Sequence, residues 1–243
     1  MRTVRAEPPI ETGETGGLAW ARFEPRRADS RPATAGVVVL HGADSRKESH
    51  LDFARACADG GLAALAFDAR GHGASPRPLD GRAVDDVARV ADVLRERAGV
   101  VAIGLRGSSM GGYLALVAAA GARAGAVVAI CPASAAGLSA GVRARRFGFA
   151  ADRDEVVALL GAHDETAAAR ALSSPLLLLH AEGDEVVPVE LSRALHAAAP
   201  ASKLVVVPGG HHRSVQHDAE LQGVAVRFLA RALAPADPAV PYK

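Results

Sequence analysis

From residue 36 onward the chain alternates two kinds of hydrophobic pattern. Continuous apolar, β-branched-rich runs occur at Gly36–Leu40, Leu62–Phe67, Val100–Leu105, Ala126–Cys131, Leu176–His180 and Leu204–Val207. Strands apolar on both faces belong to a sheet that is covered on both faces, which predicts a mostly parallel sheet. Between them, Leu51–Asp59, Val84–Ala98, Met110–Ala120, Val189–Ala198 and His217–Leu233 space their apolar positions three and four apart, as amphipathic helices do. Strand and helix alternate almost throughout, the signature of a doubly wound α/β sheet. Ahead of this region, Leu18–Glu24 alternates like a strand at a sheet edge, and the first dozen residues carry no period.

One interval breaks the rhythm. Residues 133–173 carry no strand signal. They hold a Gly/Ser/Ala segment, Arg143, Arg145 and Arg146, the aromatics Phe147 and Phe149, and then two short helical patterns. An insertion there lies above the carboxyl edge of the sheet, where open α/β sheets bind ligands, so it is expected to be a small cap. The three arginines read as a solvated helix face; an attraction for an acidic or phosphate-bearing group is the sharper alternative. The whole chain, 1–243, is expected to form a single domain with a frayed tail at 234–243.

Composition narrows the classes. The 243 residues are 49% hydrophobic and 4% aromatic, enough for one substantial core. A net charge of +1 offers no field to draw in nucleic acid or an anionic membrane, so neither is expected as a partner. The N-terminus lacks the apolar segment of a signal peptide, and no run is long enough to span a bilayer; the expectation is a cytoplasmic protein. Cys57 and Cys131 sit in apolar contexts and read as buried, reduced thiols.

The candidate chemistry starts at Gly107-Ser108-Ser109-Met110-Gly111, a G-x-S-x-G pattern between an apolar run and a helical one. A serine hydroxyl must be presented and activated before it attacks anything, and a tight strand-to-helix turn with small flanking residues does the presenting. Activation requires a base, for which histidine suits neutral pH, and a third group to hold the imidazole tautomer. Four other motifs accompany this one: Leu40-His41-Gly42-Ala43, Phe67-Asp68-Ala69-Arg70-Gly71-His72-Gly73-Ala74-Ser75, Gly183-Asp184-Glu185-Val186-Val187-Pro188, and Pro208-Gly209-Gly210-His211-His212. On its residues alone, Asp184 is either the acid or a turn residue, and either adjacent histidine can serve as base.

In this order, over residues 36–233, the five motifs resemble those of the α/β-hydrolases, in particular the small serine esterase and dienelactone-hydrolase-like branch. The resemblance implies the α/β-hydrolase fold, with helices on both faces of the sheet. It implies Ser109 as nucleophile, Asp184 as acid and His212, not His211, as base. It also implies an oxyanion hole from the backbone N–H groups of Ala43 and Met110. Some members carry the acid after the preceding strand; there this chain reads Cys131-Pro132-Ala133-Ser134, without a carboxylate. Members that open epoxides or displace halide carry Asp at the elbow, and the dienelactone hydrolases proper carry Cys. Ser109 therefore points to acyl transfer on a small or medium ester, with thioester, amide or peptide cleavage as alternatives and a non-catalytic binding role as the remote one. No cofactor and no metal are implied. A metal set from His211, His212, His217 and Asp218 matches no established spacing. His217 is expected to begin the last helix, and His41, Asp68, Arg70 and His72 to be structural.

Overall fold

The computed structural model describes residues 7–25 and 33–235, so most of the expected tail lies outside it. Eight strands form one sheet: β1 (Glu11–Thr15), β2 (Leu18–Phe23), β3 (Ala35–Leu40), β4 (Ala63–Phe67), β5 (Ala102–Ser108), β6 (Ala124–Ile130), β7 (Leu176–Ala181) and β8 (Lys203–Val207). Their order is β1-β2-β4-β3-β5-β6-β7-β8. β1 and β2 pair antiparallel, as do β2 and β4, and every other pairing is parallel.

Period-two alternation sends each apolar strand into two cores. Val38, Leu40, Leu65, Ile103, Leu105 and Leu178 face one side, where α2 (Ala83–Ala98) and α3 (Met110–Val117) pack. Val37, Val39, Ala64, Val128, Leu177 and Leu179 face the other, against α1 (Leu51–Asp59) and α9 (Ala219–Ala232). Both faces are thus covered, as the continuous apolar runs require. This is the α/β-hydrolase fold that the motifs imply.

Three details differ from the sequence reading. The first is β1, which the sequence reading did not find. Its sequence, Glu-Thr-Gly-Glu-Thr, has no apolar face because it is an edge strand whose Gly13 lies beneath the Trp20 ring; a Cβ at Gly13 would stand 2.4 Å from that ring. The second is the last helix, which divides into α8 (Ser214–His217) and α9. Asp218 breaks it by capping α9, accepting from Glu220 N–H and Leu221 N–H at 2.9 Å each. His217 therefore ends a helix instead of beginning one. The third is the interval 133–173, which holds three helices: α4 (Ala135–Arg143), α5 (Arg153–Ala162) and α6 (Glu165–Ala171). Ser134, Asp152 and Asp164 cap them.

The chain runs from β3 outward to β4, then crosses back to place β5 on the other side of β3. This is a topological switch point, the place at the carboxyl edge where open α/β sheets bind ligands. Two buried histidines fix what surrounds it. His41, in the loop after β3, accepts from Ala69 N–H at Nε2 (3.0 Å) and so must donate from Nδ1 to Gly42 O (2.7 Å). It ties the β3 loop to the β4 loop. His50 accepts at Nδ1 from Arg106, at 3.0 Å, and is therefore also neutral. Arg106 is fully buried on β5, donates to Gln216 O of α8 at 3.1 Å, and lies over the Phe53 ring. Burial lowers its pKa to about 10.

Burial, assisted by His72, lowers the His41 pKa to about 4; burial and Arg106 lower that of His50 to about 2. Below pH 6.5 the unfolded chain protonates both rings while the fold keeps them neutral, so the unfolded state binds more protons and stability falls as the pH is lowered. Each ring is expected to cost about 2 kcal/mol between pH 7 and pH 5. Urea unfolding at the two pH values measures this. His50→Gln, which keeps an acceptor for Arg106, should flatten the pH dependence by one ring's share.

Candidate active site

Ser109 stands at the carboxyl end of β5, beside the switch point, and occupies the N-cap position of α3 without a side-chain cap bond. Its backbone has φ 52° and ψ −117°, a left-handed conformation that non-glycine residues rarely adopt. It is held there from two sides. Its N–H donates to Ile130 O of β6 (2.9 Å), and its carbonyl accepts from Tyr113 N–H (3.0 Å) and Ala133 N–H (3.1 Å). The flanking glycines make the turn possible. A Cβ on Gly107 would stand 1.9 Å from Gly111 O, and one on Gly111 would stand 2.4 Å from Leu40 O.

The β3 loop passes directly against this serine. A Cβ on Gly42 would lie 3.3 Å from Ser109 Cβ and 3.9 Å from Oγ. Ala43 is the next residue of that loop, and Met110 opens α3, where the first amides have no acceptor within the helix. The loop is anchored on its far side as well. Asp44 Oδ1 accepts from Gly148 N–H (2.7 Å), which ties it to the segment between α4 and α5.

Asp184 and His212 come together. Asp184 sits in the turn after β7, and its Oδ2 lies 2.7 Å from His212 Nδ1. Its Oδ1 accepts from Val186 N–H (2.9 Å) and Val187 N–H (2.8 Å). Burial raises the Asp184 pKa, but the hydrogen bonds from Val187, His212 and Val186 outweigh it and hold the carboxyl below its usual range. An ionised Asp184 can only accept, so Nδ1 of His212 donates and Nε2 keeps its lone pair. Ser109 Oγ makes no hydrogen bond to that nitrogen in this arrangement; such contacts often tighten only when substrate binds. His211 is exposed and turned elsewhere, with Nδ1 accepting from Arg213 N–H. His217 bonds Asp52 and stacks on His50. Glu182 is exposed and lies 4.0 Å from Arg193, and Glu185 accepts from His212 N–H.

Two residues of this region lie outside the five motifs. His180, fully buried on β7, accepts from Ser192 Oγ–H (2.7 Å) and donates from Nε2 to Val187 O (2.9 Å), with Asp184 Oδ2 at 3.3 Å. Burial lowers its pKa. A histidine closing an otherwise apolar strand was the available signal. Cys131, after β6, has a free and buried thiol whose Sγ lies within 4.8 Å of ligand atoms of both Asp184 and His212. Burial pushes that thiol up to about 12. Cys57 is also free and buried.

The loop after β4 is held by side-chain hydrogen bonds and ion pairs. Asp68 accepts from Lys47 N–H and Nζ and from Ala74 N–H, and Arg70 pairs with Asp86 through two hydrogen bonds. Arg143, Arg145 and Arg146 are exposed. Beside Met110 lies an apolar cavity between α3 and the inserted helices, walled by Tyr113, Leu138, Val142, Phe147 and Phe149. About 20 Å³ of it is open to a water-sized sphere. Among the described residues, no helix is long and apolar enough to cross a membrane.

Residues 31–153, half of the chain, match the family described as serine aminopeptidase, S33. Residues 160–242 match the one described as TAP-like protein. No curated relative matches. Among solved structures, Est1E from Butyrivibrio proteoclasticus is similar at 23% identity and a TM-score of 0.71, over 93% of this chain and 99% of that one. Thermogutta terrifontis esterase 2, phosphorylated by paraoxon, is similar at 20% identity and a TM-score of 0.70, over 97% and 99%. The monoacylglycerol lipase of Paleococcus ferrophilus follows at 20% and 0.68, over 88% and 99%.

The close approach at the elbow is testable. Gly111→Ala should lower unfolding free energy by more than about 3 kcal/mol in urea titration, since the methyl meets backbone that cannot yield. Gly161→Ala, at a helical position with open space around it, should be neutral or slightly stabilising.

Proposed function

The chain belongs to the serine aminopeptidase, S33, family of α/β-hydrolases, and from that premise we propose that it is a serine esterase acting on carboxylic esters with a small acyl group. Within the superfamily we assign it to the small serine esterase, dienelactone-hydrolase-like branch. The observation that carries the reading is the Asp184–His212 hydrogen bond, with the carboxylate locked by two amides and Ser109 on a strained turn at the neighbouring switch point. Ser109 Oγ attacks the ester carbonyl while His212 Nε2 takes its proton. The resulting imidazolium is stabilised by Asp184. Charge on the former carbonyl oxygen is met by the N–H groups of Ala43 and Met110, aided by the α3 dipole. His212 then protonates the leaving alcohol, and water, deprotonated by the same histidine, releases the acid from the acyl-enzyme.

Substrate size follows from the cavity. The inserted helices 133–173 act as a small cap, stitched down at Asp44 and through Leu79, whose N–H donates to Ala150 O while its carbonyl accepts from Asp152 N–H. The cavity beside Met110 that it closes has about 20 Å³ open to a water-sized sphere, and its walls are apolar apart from Asp80. That favours a short, neutral acyl group. It disfavours a peptide N-terminus, whose ammonium needs a free carboxylate; Asp80, the acidic residue of the wall, is already paired with Arg82 and lies beside Arg70. The related structures are consistent with an ester: Est1E was solved with ferulic acid bound and the Thermogutta esterase with propionate.

Ser109→Ala and His212→Ala are each expected to lower p-nitrophenyl acetate turnover by about 1,000-fold or more, with His211→Ala near wild type. A fluorophosphonate probe should label wild type and not Ser109→Ala. Equal labelling of both, or loss of activity in His211→Ala alone, would overturn the assignment. On a p-nitrophenyl ester series, kcat/KM should fall at least about tenfold from acetate to octanoate, and aminoacyl-anilides should be cleaved poorly. A flat series would refute the fixed cap.

A further inference from the structure

Cys131 has no part in the chemistry above, yet its thiol faces the two groups that activate Ser109. We propose that Cys131 Sγ, Asp184 Oδ2 and a ring nitrogen of His212 form a site for a thiophilic divalent cation of the zinc class, and that occupancy switches the hydrolase off. The Cys131 sulfur, a carboxylate oxygen of Asp184 and a ring nitrogen of His212 lie within 4.8 Å of one another. Tetrahedral zinc, with bonds of roughly 2.0–2.3 Å, separates its ligand atoms by roughly 3.3–3.8 Å, so a side-chain shift of about 1 Å brings this set to bonding distance. Sulfur, nitrogen and carboxylate oxygen are the ligand types zinc takes, and three protein ligands leave a fourth position for solvent.

The surroundings suit a metal as well as the ligands do. The Asp184 carboxylate is already oriented, with Oδ1 held by Val186 and Val187 and Oδ2 within 3.3 Å of His180 Nε2. Such outer contacts are what hold metal ligands in place. Charge closes too. As the metal–sulfur bond forms, the thiol proton leaves to solvent, and thiolate plus carboxylate balance the dication in a largely buried pocket. Nothing is oxidised or reduced. Entry is from the His212 side, since the Asp184 side chain and Cys131 are almost fully covered while His212 remains partly open.

Inhibition follows from the ring chemistry and rests on the serine hydrolase reading; binding does not. A neutral imidazole has one lone-pair nitrogen. Whichever nitrogen ligates the metal, the other carries the proton, and none is left to accept the proton of Ser109.

Two measurements separate these claims. Co²⁺, titrated into the intact protein, should give a thiolate-to-cobalt charge-transfer absorption in wild type and Cys57→Ala, absent in Cys131→Ser and Cys131→Ala. Zn²⁺ should inhibit p-nitrophenyl acetate hydrolysis, reversibly by chelator. Its midpoint should be at least about tenfold lower in wild type than in either Cys131 variant, each scaled to its own metal-free rate. Equal midpoints, or a cobalt band that survives both Cys131 substitutions, would overturn the site. Wild type that hydrolyses no ester would remove the hydrolase reading, and the cobalt titration would still decide whether the site exists.

Discussion

Everything at the carboxyl edge of this sheet is arranged around one close approach of backbone to backbone. Between Gly107 and Gly111 the chain leaves β5, turns through Ser109 and enters α3 so tightly that carbonyls occupy the space where two Cβ atoms would stand. Those carbonyls belong to Gly111 itself and to Leu40 and His41 at the end of β3. The turn therefore sets more than one serine's conformation. It pins the start of α3 against the β3 loop, so the two backbone amides proposed for the oxyanion come from elements already in contact. Ile130 O and Ala133 N–H then clamp the turn from the β6 side.

The second requirement is electrostatic. Polar groups must be buried around such a turn, and each needs a partner or it destabilises the fold. The solutions are largely neutral histidines with assigned tautomers. His41 bridges the β3 and β4 loops, His50 receives Arg106, and His180 spans Ser192 and Val187 beside Asp184. Arg106 links two parts of the site. It lies on the strand that ends at Ser109 and holds the carbonyl of Gln216, four residues beyond His212. The serine and histidine segments are thereby fastened to a single buried side chain.

Period and motif order made most of this fold legible. The parallel strands announce themselves because burial on both faces demands unbroken apolar runs. The elbow is visible because only glycine fits at 107 and 111. The exceptions each have a local cause. β1 has no apolar face to detect, being an edge strand shaped by Trp20 over Gly13. The break at Asp218 falls inside a continuous apolar period, and only the cap hydrogen bonds reveal it. Resemblance alone singles out Asp184 and His212, and their mutual hydrogen bond is a geometric fact that no spacing along the chain contains. His180 shows only as a histidine in an apolar run, and Cys131 gives no signal at all, because a buried thiol looks like any other until its neighbours are known.

Cys131 also follows from where Asp184 sits. Asp184 takes its two amide donors from its own turn, Val186 and Val187, and so needs nothing from the end of β6. That end nevertheless points at the same carboxylate, because β6 and β7 are adjacent parallel strands and Cys131 N–H bonds Leu179 O. A carboxylate at this position would set two like charges side by side, which the pocket could hold only by protonating one. A neutral thiol fills the volume without that conflict. The same choice leaves a soft ligand, a hard ligand and an imidazole around one point, so the arrangement that avoids charge repulsion is also the one that admits a cation.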